Sequence, residues 1–396
     1  LIPLSQRVGR PQFFAFLLLC AFLAQGAWMA HTRPATVEEH DLVSTGSVLW
    51  RVEADRVASS PTAQYERADT DEHGPLVPLA AGWVELWPGR PSFRALDVFI
   101  IFAPPHTRRL SEERLPFVLA GVLLGWSLWH VARRLYGNGG GYIALALYSF
   151  SPLMIVASAT VGHDLIAAWG MFGAVFTAIA LSHTLLAPPA DRLRRTLLLG
   201  AALGMGIGAD YSVAIVLPIA LALMLYLAPQ QRAAGMTWLA LAAGVAALVL
   251  WAAFFFDSSA LLAALGQARF FALRPAVVSG GIPYDGLVLW LLATLPVLAL
   301  FGLALLAFLR FRRSRYFGNA LPLLIGGTLF LMSLATPYYL SVKYLLWALP
   351  FLYLFGAGVF ADLLEEPTSR PWARAVVLAA LTLNAVTCVG VLKEWL

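Results

Sequence analysis

Cysteine, lysine and charge are all scarce in this chain. Only two of its 396 residues are Cys, and 12% are charged, where a soluble domain has about 25%. Cys20 and Cys388 sit in apolar runs at opposite ends, so they read as small buried hydrophobes rather than a disulfide. Two Cys exclude a cysteine-built zinc or iron–sulfur site. Lys occurs only as Lys343 and Lys393, and the remaining basic residues, which bring the net charge to +5, are Arg. There is no low-complexity tract and no clear internal repeat. So little charge rules out a nucleic-acid binder and a disordered chain. In its place stands apolar sequence: 60% hydrophobic residues and a mean hydropathy of +0.76. That excludes a soluble globular protein and leaves an all-α polytopic membrane protein.

A helical span needs about 20 mostly apolar residues. The pattern predicts about 11 of them, at 12–30, 115–135, 141–159, 163–187, 195–209, 211–228, 234–256, 284–309, 319–337, 341–362 and 373–392. The first is followed by polar sequence and further spans, so it reads as an anchor rather than a cleaved signal. Lys and Arg in short loops set orientation. With the N-terminus in the cytoplasm, the inner side collects Arg7, Arg10, Arg133, Arg134, Arg192, Arg194, Arg195, Arg232, Arg310, Arg312, Arg313, Arg315, Arg370 and Arg374. Outside the first loop, the outer side holds only Arg269, Arg274, Lys343 and Lys393. The expected organisation is one transmembrane module over 1–396, with a large first loop, 31–112, facing a periplasm-like space. No soluble domain is expected after the last span. That first loop carries most of the acids and also Trp83, Trp87 and Phe93. Stretches such as Leu76–Trp87 read as amphipathic helices on the membrane surface.

Five polar constellations fall on the outer side under this one orientation. Thr36-Val37-Glu38-Glu39-His40-Asp41 crowds three carboxylates and an imidazole. Crowded carboxylates raise one another's pKa, which suits a general base, and their oxygens could hold a divalent ion. A charged, solvated turn capping the first span is the plainer reading. Asp69-Thr70-Asp71-Glu72-His73-Gly74-Pro75 repeats the acid–imidazole theme, and Glu72 with His73 could ligate a metal or orient a hydroxyl. A helix start with dipole-favoured acids explains it equally. Gly162-His163-Asp164 and Asp210 place ionisable groups at span ends, where such groups are costly. Asp164 also reads as a simple N-cap. Between Asp257 and Asp285, Arg269 and Arg274 offer bidentate grips for phosphate, or snorkel from an interfacial helix. Thr336 to Tyr344 clusters Tyr338, Tyr339 and Tyr344 with Lys343. Tyr belongs in interfacial belts, but a Lys on the outer side runs against the charge bias. Acids from early loops and cations from later ones suit a lipid-linked anionic substrate.

The order of these segments resembles the GT-C superfamily of polyprenyl-phosphate-sugar-dependent glycosyltransferases, in the branch of protein O-mannosyltransferases and lipid A aminoarabinose transferases. Glu38-Glu39 through Gly46 is similar to the first-loop Asp-Glu motif with a Gly eight residues on. Glu72-His73-Gly74-Pro75-Leu76 is similar to the Glu-His/Lys-Pro-Pro-Leu motif. Arg114-Leu115-Pro116 through Gly137, Leu147 to Pro152, and Asp164 resemble the second to fourth spans. Gly200 to Gly204 with Tyr211 and Pro218 resembles the Gly-rich fifth span, and Tyr338 through Pro350 the late Arg-Tyr-to-Pro stretch. The resemblance covers nearly the whole chain. There are departures. Glu38 stands where the family has its catalytic Asp, His40 where a Pro is usual, Asp210 where it has a Lys, and Lys343 where it often has Arg.

The resemblance implies a GT-C-like bundle in the bacterial inner membrane with its active face periplasmic. It implies transfer of a sugar from a polyprenyl-phosphate donor to an acceptor, with inversion. Glu38 would be the general base. Glu39, Glu72, His73 and Asp164 would orient the acceptor or a divalent metal ion, with Glu72 and His73 its expected ligands. Arg269, Arg274 and Lys343, with Tyr344 beside them, would hold the donor phosphate. Partners would be membrane lipids, the acceptor and other membrane proteins, with no nucleic acid. Because the Asp and Lys positions are altered, the alternative is a GT-C-like scaffold subunit of a larger membrane complex. A polyprenyl-lipid transporter fits less well, since transporters place their charges near the midplane.

Overall fold

The computed structural model describes residues 11–56, 73–83, 110–185, 188–268, 301–302, 304–305, 316–335, 338–365 and 371–394. Among them there is no strand. In chain order the helices are α1 (Pro11–Thr32), α2 (Val37–Arg56), α3 (Leu76–Ala81), α4 (Leu115–Ser149), α5 (Pro152–Ser158), α6 (His163–Ser182) and α7 (Pro189–Ala209). A 3₁₀ turn, Tyr211–Ile215, leads into α8 (Val216–Leu227). Then come α9 (Arg232–Ala253), α10 (Ser258–Gln267), α11 (Tyr316–Ala335), α12 (Tyr338–Glu365) and α13 (Pro371–Glu394).

The protein is a multi-pass membrane protein. Among the described residues five helical stretches are long and apolar enough to cross a bilayer: Gln12–Thr32, Leu115–Ser149, His163–Ser182, Pro229–Ala253 and Lys343–Leu364. Tyr211–Leu227, Ala320–Leu334 and Val377–Gly390 are shorter apolar helices. The span expected at 284–309 lies almost wholly outside the described residues. The chain forms two compact units. One is Leu1–Arg33, Val118–Ala159 and Arg274–Leu396; the other is Pro34–Phe117 and Thr160–Leu273.

In the first unit, α4 runs for 35 residues, about 52 Å if straight, against a hydrocarbon core of about 30 Å. It is not straight. Gly137 has φ 78°, open to glycine at little cost, and the chain doubles back there. A Cβ on Gly141 would sit 3.2 Å from Trp129, and the Tyr148 hydroxyl donates to Gly121 O at 2.6 Å. The second and third expected spans are therefore the two arms of one helical hairpin. The third differs from its expected course, because Pro152 cannot continue a helix. The chain breaks at Ser151, whose hydroxyl caps α5 by accepting from Met154 N–H. The break frees carbonyls that lipid cannot satisfy. Asn384 donates to Leu147 O (3.2 Å), Gln25 to Ser149 O (3.2 Å) and Tyr353 to the Ser151 hydroxyl (2.7 Å). These bonds tie α1, α12 and α13 to the α4–α5 junction.

In the second unit, α7 is the central packing element, because its glycines remove side chains where neighbours press. A Cβ on Gly206 would lie 3.2 Å from Gly170 Cα of α6, and one on Gly200 would lie 2.5 Å from Val245 of α9. Close backbone approach through small residues is how helices associate without a hydrophobic driving force. The α3 region departs from the expected surface helix. Among the described residues its α-helix is Leu76–Ala81, and Val77, Pro78, Leu79 and Ala81 are buried. Gly46 and Gly82 let α2 and this segment touch backbone to backbone, and Trp50 Nε1 donates to Leu79 O at 2.9 Å.

Candidate active site

The second unit builds a polar site from the first turn of α2 outward. Thr36-Val37-Glu38-Glu39 closes a capping box. Glu39 N–H donates to the Thr36 hydroxyl (3.2 Å), and Thr36 N–H donates to the Glu39 carboxylate (3.0 Å). The same carboxylate takes Arg114 Nε–H at 2.9 Å, Arg114 Nη2–H at 2.7 Å and Val161 N–H at 3.0 Å. Arg114 also donates to Pro34 O at 3.1 Å. The side chains of Arg114 and Glu39 are 0% and 3% exposed. Burial pushes the Glu39 carboxyl up. The bonds and charge of Arg114, then the Thr36 and Val161 N–H groups, outweigh it and hold the carboxyl below its ordinary value.

Consecutive helix residues are about 100° apart, so Glu38 leaves the turn on another face, and it is exposed. The lock thus fixes the turn that presents Glu38. Glu39 is committed to Arg114, two backbone donors and the Thr36 hydroxyl.

Val161, held by Glu39, leads two residues later into His163 at the start of α6, a distance of at most about 7 Å. The His163 ring is buried, with Nδ1 3.0 Å from Ala209 O. The His73 ring stacks on it, with centroids 4.0 Å apart and planes 12° apart. His73 Nδ1 lies 3.5 Å from Asp210 Oδ2. Asp210 is fully buried, and its Oδ1 accepts from Ser212 N–H at 2.8 Å, capping the 3₁₀ turn. Gly74 seats the loop on the end of α7, where a Cβ would come 2.3 Å from Gly208 O. Asp164 is half-buried in the first turn of α6, where the helix dipole favours an acid.

The structure thus brings Glu38, Glu39, His73 and Asp164 into the second unit. Lys343 and Tyr344 belong to the first, on α12. Lys343 Nζ lies 5.3 Å above the Trp347 ring, and buried Tyr344 meets Trp347 edge-on at 5.6 Å. Glu72, Arg269 and Arg274 lie outside the described residues. Sequence reasoning did not pair Arg114 with Glu39. A signal existed: a cation at a helix N-terminus opposes the dipole, so Arg114 directly before Leu115 calls for a carboxylate partner.

The described residues do not form a metal centre. Among them no group of three or more His, Cys, Asp or Glu could hold an ion. Ligand lone pairs lie in the imidazole plane, and two nearly parallel stacked rings with centroids 4.0 Å apart do not aim two nitrogens at one ion.

Residues 109–256 match the family model of dolichyl-phosphate-mannose-protein mannosyltransferase. A search of curated proteins finds no sequence match. Among solved structures, ArnT from Cupriavidus metallidurans aligns over 97% of this chain and 76% of its own, at TM-score 0.57 and 16% identity. The chain has the GT-C fold. The same ArnT bound to undecaprenyl phosphate aligns with this chain at TM-score 0.55 and 16% identity, over 95% of this chain and 70% of that one. The archaeal oligosaccharyltransferase AglB from Archaeoglobus fulgidus, in complex with an inhibitory peptide and a dolichol-phosphate, aligns at TM-score 0.55 and 11% identity. That alignment covers 97% of this chain but spans only 56% of AglB.

Proposed function

We propose that this GT-C chain is a glycosyltransferase that moves a sugar from a polyprenyl-phosphate donor to an acceptor at the periplasmic face of a bacterial inner membrane. The observation that carries this reading is the fully bonded Glu39–Arg114 lock, which holds one turn of α2 rigid with a second carboxylate, Glu38, exposed beside it. Preorganised groups need such support from neighbours whose own geometry is fixed. The match to a mannosyltransferase family and the lipid phosphates bound by ArnT and AglB support the donor class.

In this reading Glu38 takes the proton of the acceptor hydroxyl as that oxygen attacks the anomeric carbon. The bond from that carbon to the phosphate oxygen breaks, the configuration inverts, and polyprenyl phosphate leaves. His73, Asp164 and Glu72 orient the acceptor. Cations hold the leaving phosphate, an electrostatic role worth about 3–4 kcal/mol per well-placed donor in other enzymes. Glu39 acts at one remove, by fixing the turn. No step is routed through a metal ion.

The test is release and transfer of labelled sugar from a polyprenyl-phosphate sugar by the purified full chain. Transfer by the wild type that is lost in Glu38→Gln supports the reading. Stable co-purification with a membrane complex, with no donor turnover, would replace it with the scaffold reading.

A further inference from the structure

His73 is held far more firmly than a surface histidine needs to be. Its ring is 32% exposed, yet its Nδ1 is buried and faces the carboxylate of Asp210, which is 0% exposed. His163 fixes the plane of the ring by stacking, and its own Nδ1 is set against Ala209 O. The contact of Gly74 with Gly208 fixes the loop. The 3.5 Å approach of His73 Nδ1 to Asp210 Oδ2 is not a hydrogen bond, but a carboxylate and a carbonyl oxygen accept, so each favours a proton on the Nδ1 that faces it. With Nδ1 buried, Nε2 is the ring nitrogen left for a substrate. A neutral Nδ1–H imidazole presents Nε2 as an acceptor alone. Phosphate oxygens have no proton to offer it, whereas sugar hydroxyls do. Among the described residues, Asp164, in the first turn of α6, is the ionisable group next to His163 in sequence.

We infer that Asp210 is a positioning residue, which fixes the tautomer and direction of His73 so that Nε2 accepts a hydrogen bond from a sugar hydroxyl of the substrate. The inference rests on the glycosyltransferase reading for its substrate, but its geometry can be read without turnover. Asp210 is thereby given work in this chain, at the position where the resembling family has a Lys.

The experiment uses the full chain in lipid nanodiscs with ¹⁵N-labelled histidine. His73 is assigned by the signal missing in His73→Gln, and spectra are taken well above the ordinary histidine range of about 6.5. The expected result is a His73 ring protonated at Nδ1. Asp210→Asn keeps the cap on Ser212, because Asn caps as well as Asp. Its amide N–H can face Nδ1, so the proton should move to Nε2. Octyl mannoside should shift the His73 Nε2 signal in the wild type, and undecaprenyl phosphate alone should leave it in place. In turnover, Asp210→Asn should lower kcat about tenfold, the worth of one hydrogen bond, with KM for the lipid donor within about twofold. A wild-type His73 protonated at Nε2 would overturn the inference. So would a tautomer unchanged in Asp210→Asn, or a shift of Nε2 by the phosphate and not the mannoside. A wild type that transfers no sugar would sink the glycosyltransferase reading while leaving the tautomer test decisive for Asp210.

Discussion

Arg114→Met is the sharpest perturbation of the second unit. It removes both bonds to Glu39, at 2.9 and 2.7 Å, and leaves a carboxylate with a 3% exposed side chain facing only the Thr36 hydroxyl and backbone donors. Stranding one member of a buried ion pair costs about 3–5 kcal/mol. For a unit of about 200 residues each kcal/mol shifts the midpoint by about 2–4 °C, so the apparent melting temperature should fall by at least about 6 °C. Glu39→Leu should cost as much or more, since it strands Arg114 together with the Thr36 and Val161 N–H groups. The double variant Glu39→Leu/Arg114→Met removes both charges and leaves the two N–H groups, at about 1–3 kcal/mol each. It should therefore fall well short of the sum of the singles, as residues in one network do. The assay is thermal unfolding of the detergent-purified full chain at one scan rate, with hydrogen exchange read over residues 36–42 and 160–164. Single variants that melt like the wild type, or a double variant that costs the full sum, would refute the account of the lock.

Four further outcomes follow from the same geometry. Because the Glu39 carboxyl is held below its ordinary value, the lock's stabilisation is present above about pH 4.5 and is lost as pH falls through the lowered value. The gap in melting temperature between wild type and Glu39→Gln should therefore narrow in acid, and a constant gap would contradict it. Gly74→Ala should lower the melting temperature by several degrees, since its methyl meets backbone at Gly208, whereas Gly139→Ala, with nothing within 4 Å, should not. Gly137→Ala should cost about 1–3 kcal/mol, because φ 78° with ψ −173° is a conformation that essentially only Gly adopts, measurable as earlier unfolding. Asn384→Leu strands Leu147 O and should cost about 1–3 kcal/mol, although the new residue suits a membrane better.

Hydropathy made the membrane class and most helix positions legible, because the length and apolar character of a span are local properties. The hairpin of α4 was legible too, since Gly137 separates two apolar runs. The burial of α3 was not: Leu76–Trp87 has an amphipathic look, and only the contact with Gly46 across about 30 residues decides its place. The two acids of the first motif could not be told apart by composition. Thr36 with Glu39 three residues later is a capping box, which assigns Glu39 to the backbone and leaves Glu38 outside. The reach of Arg114 to Glu39, 75 residues away, and the stack of His73 on His163 are tertiary facts with no period in the sequence to announce them.

The most direct measurement is the single-turnover rate of sugar transfer from a polyprenyl-phosphate donor by the purified full chain, compared between wild type and Glu38→Gln at equal folded fraction. The account predicts transfer by the wild type and a loss of about a hundredfold or more in the variant, the usual contribution of a general base. Equal rates in the two proteins, or none in either, would contradict it.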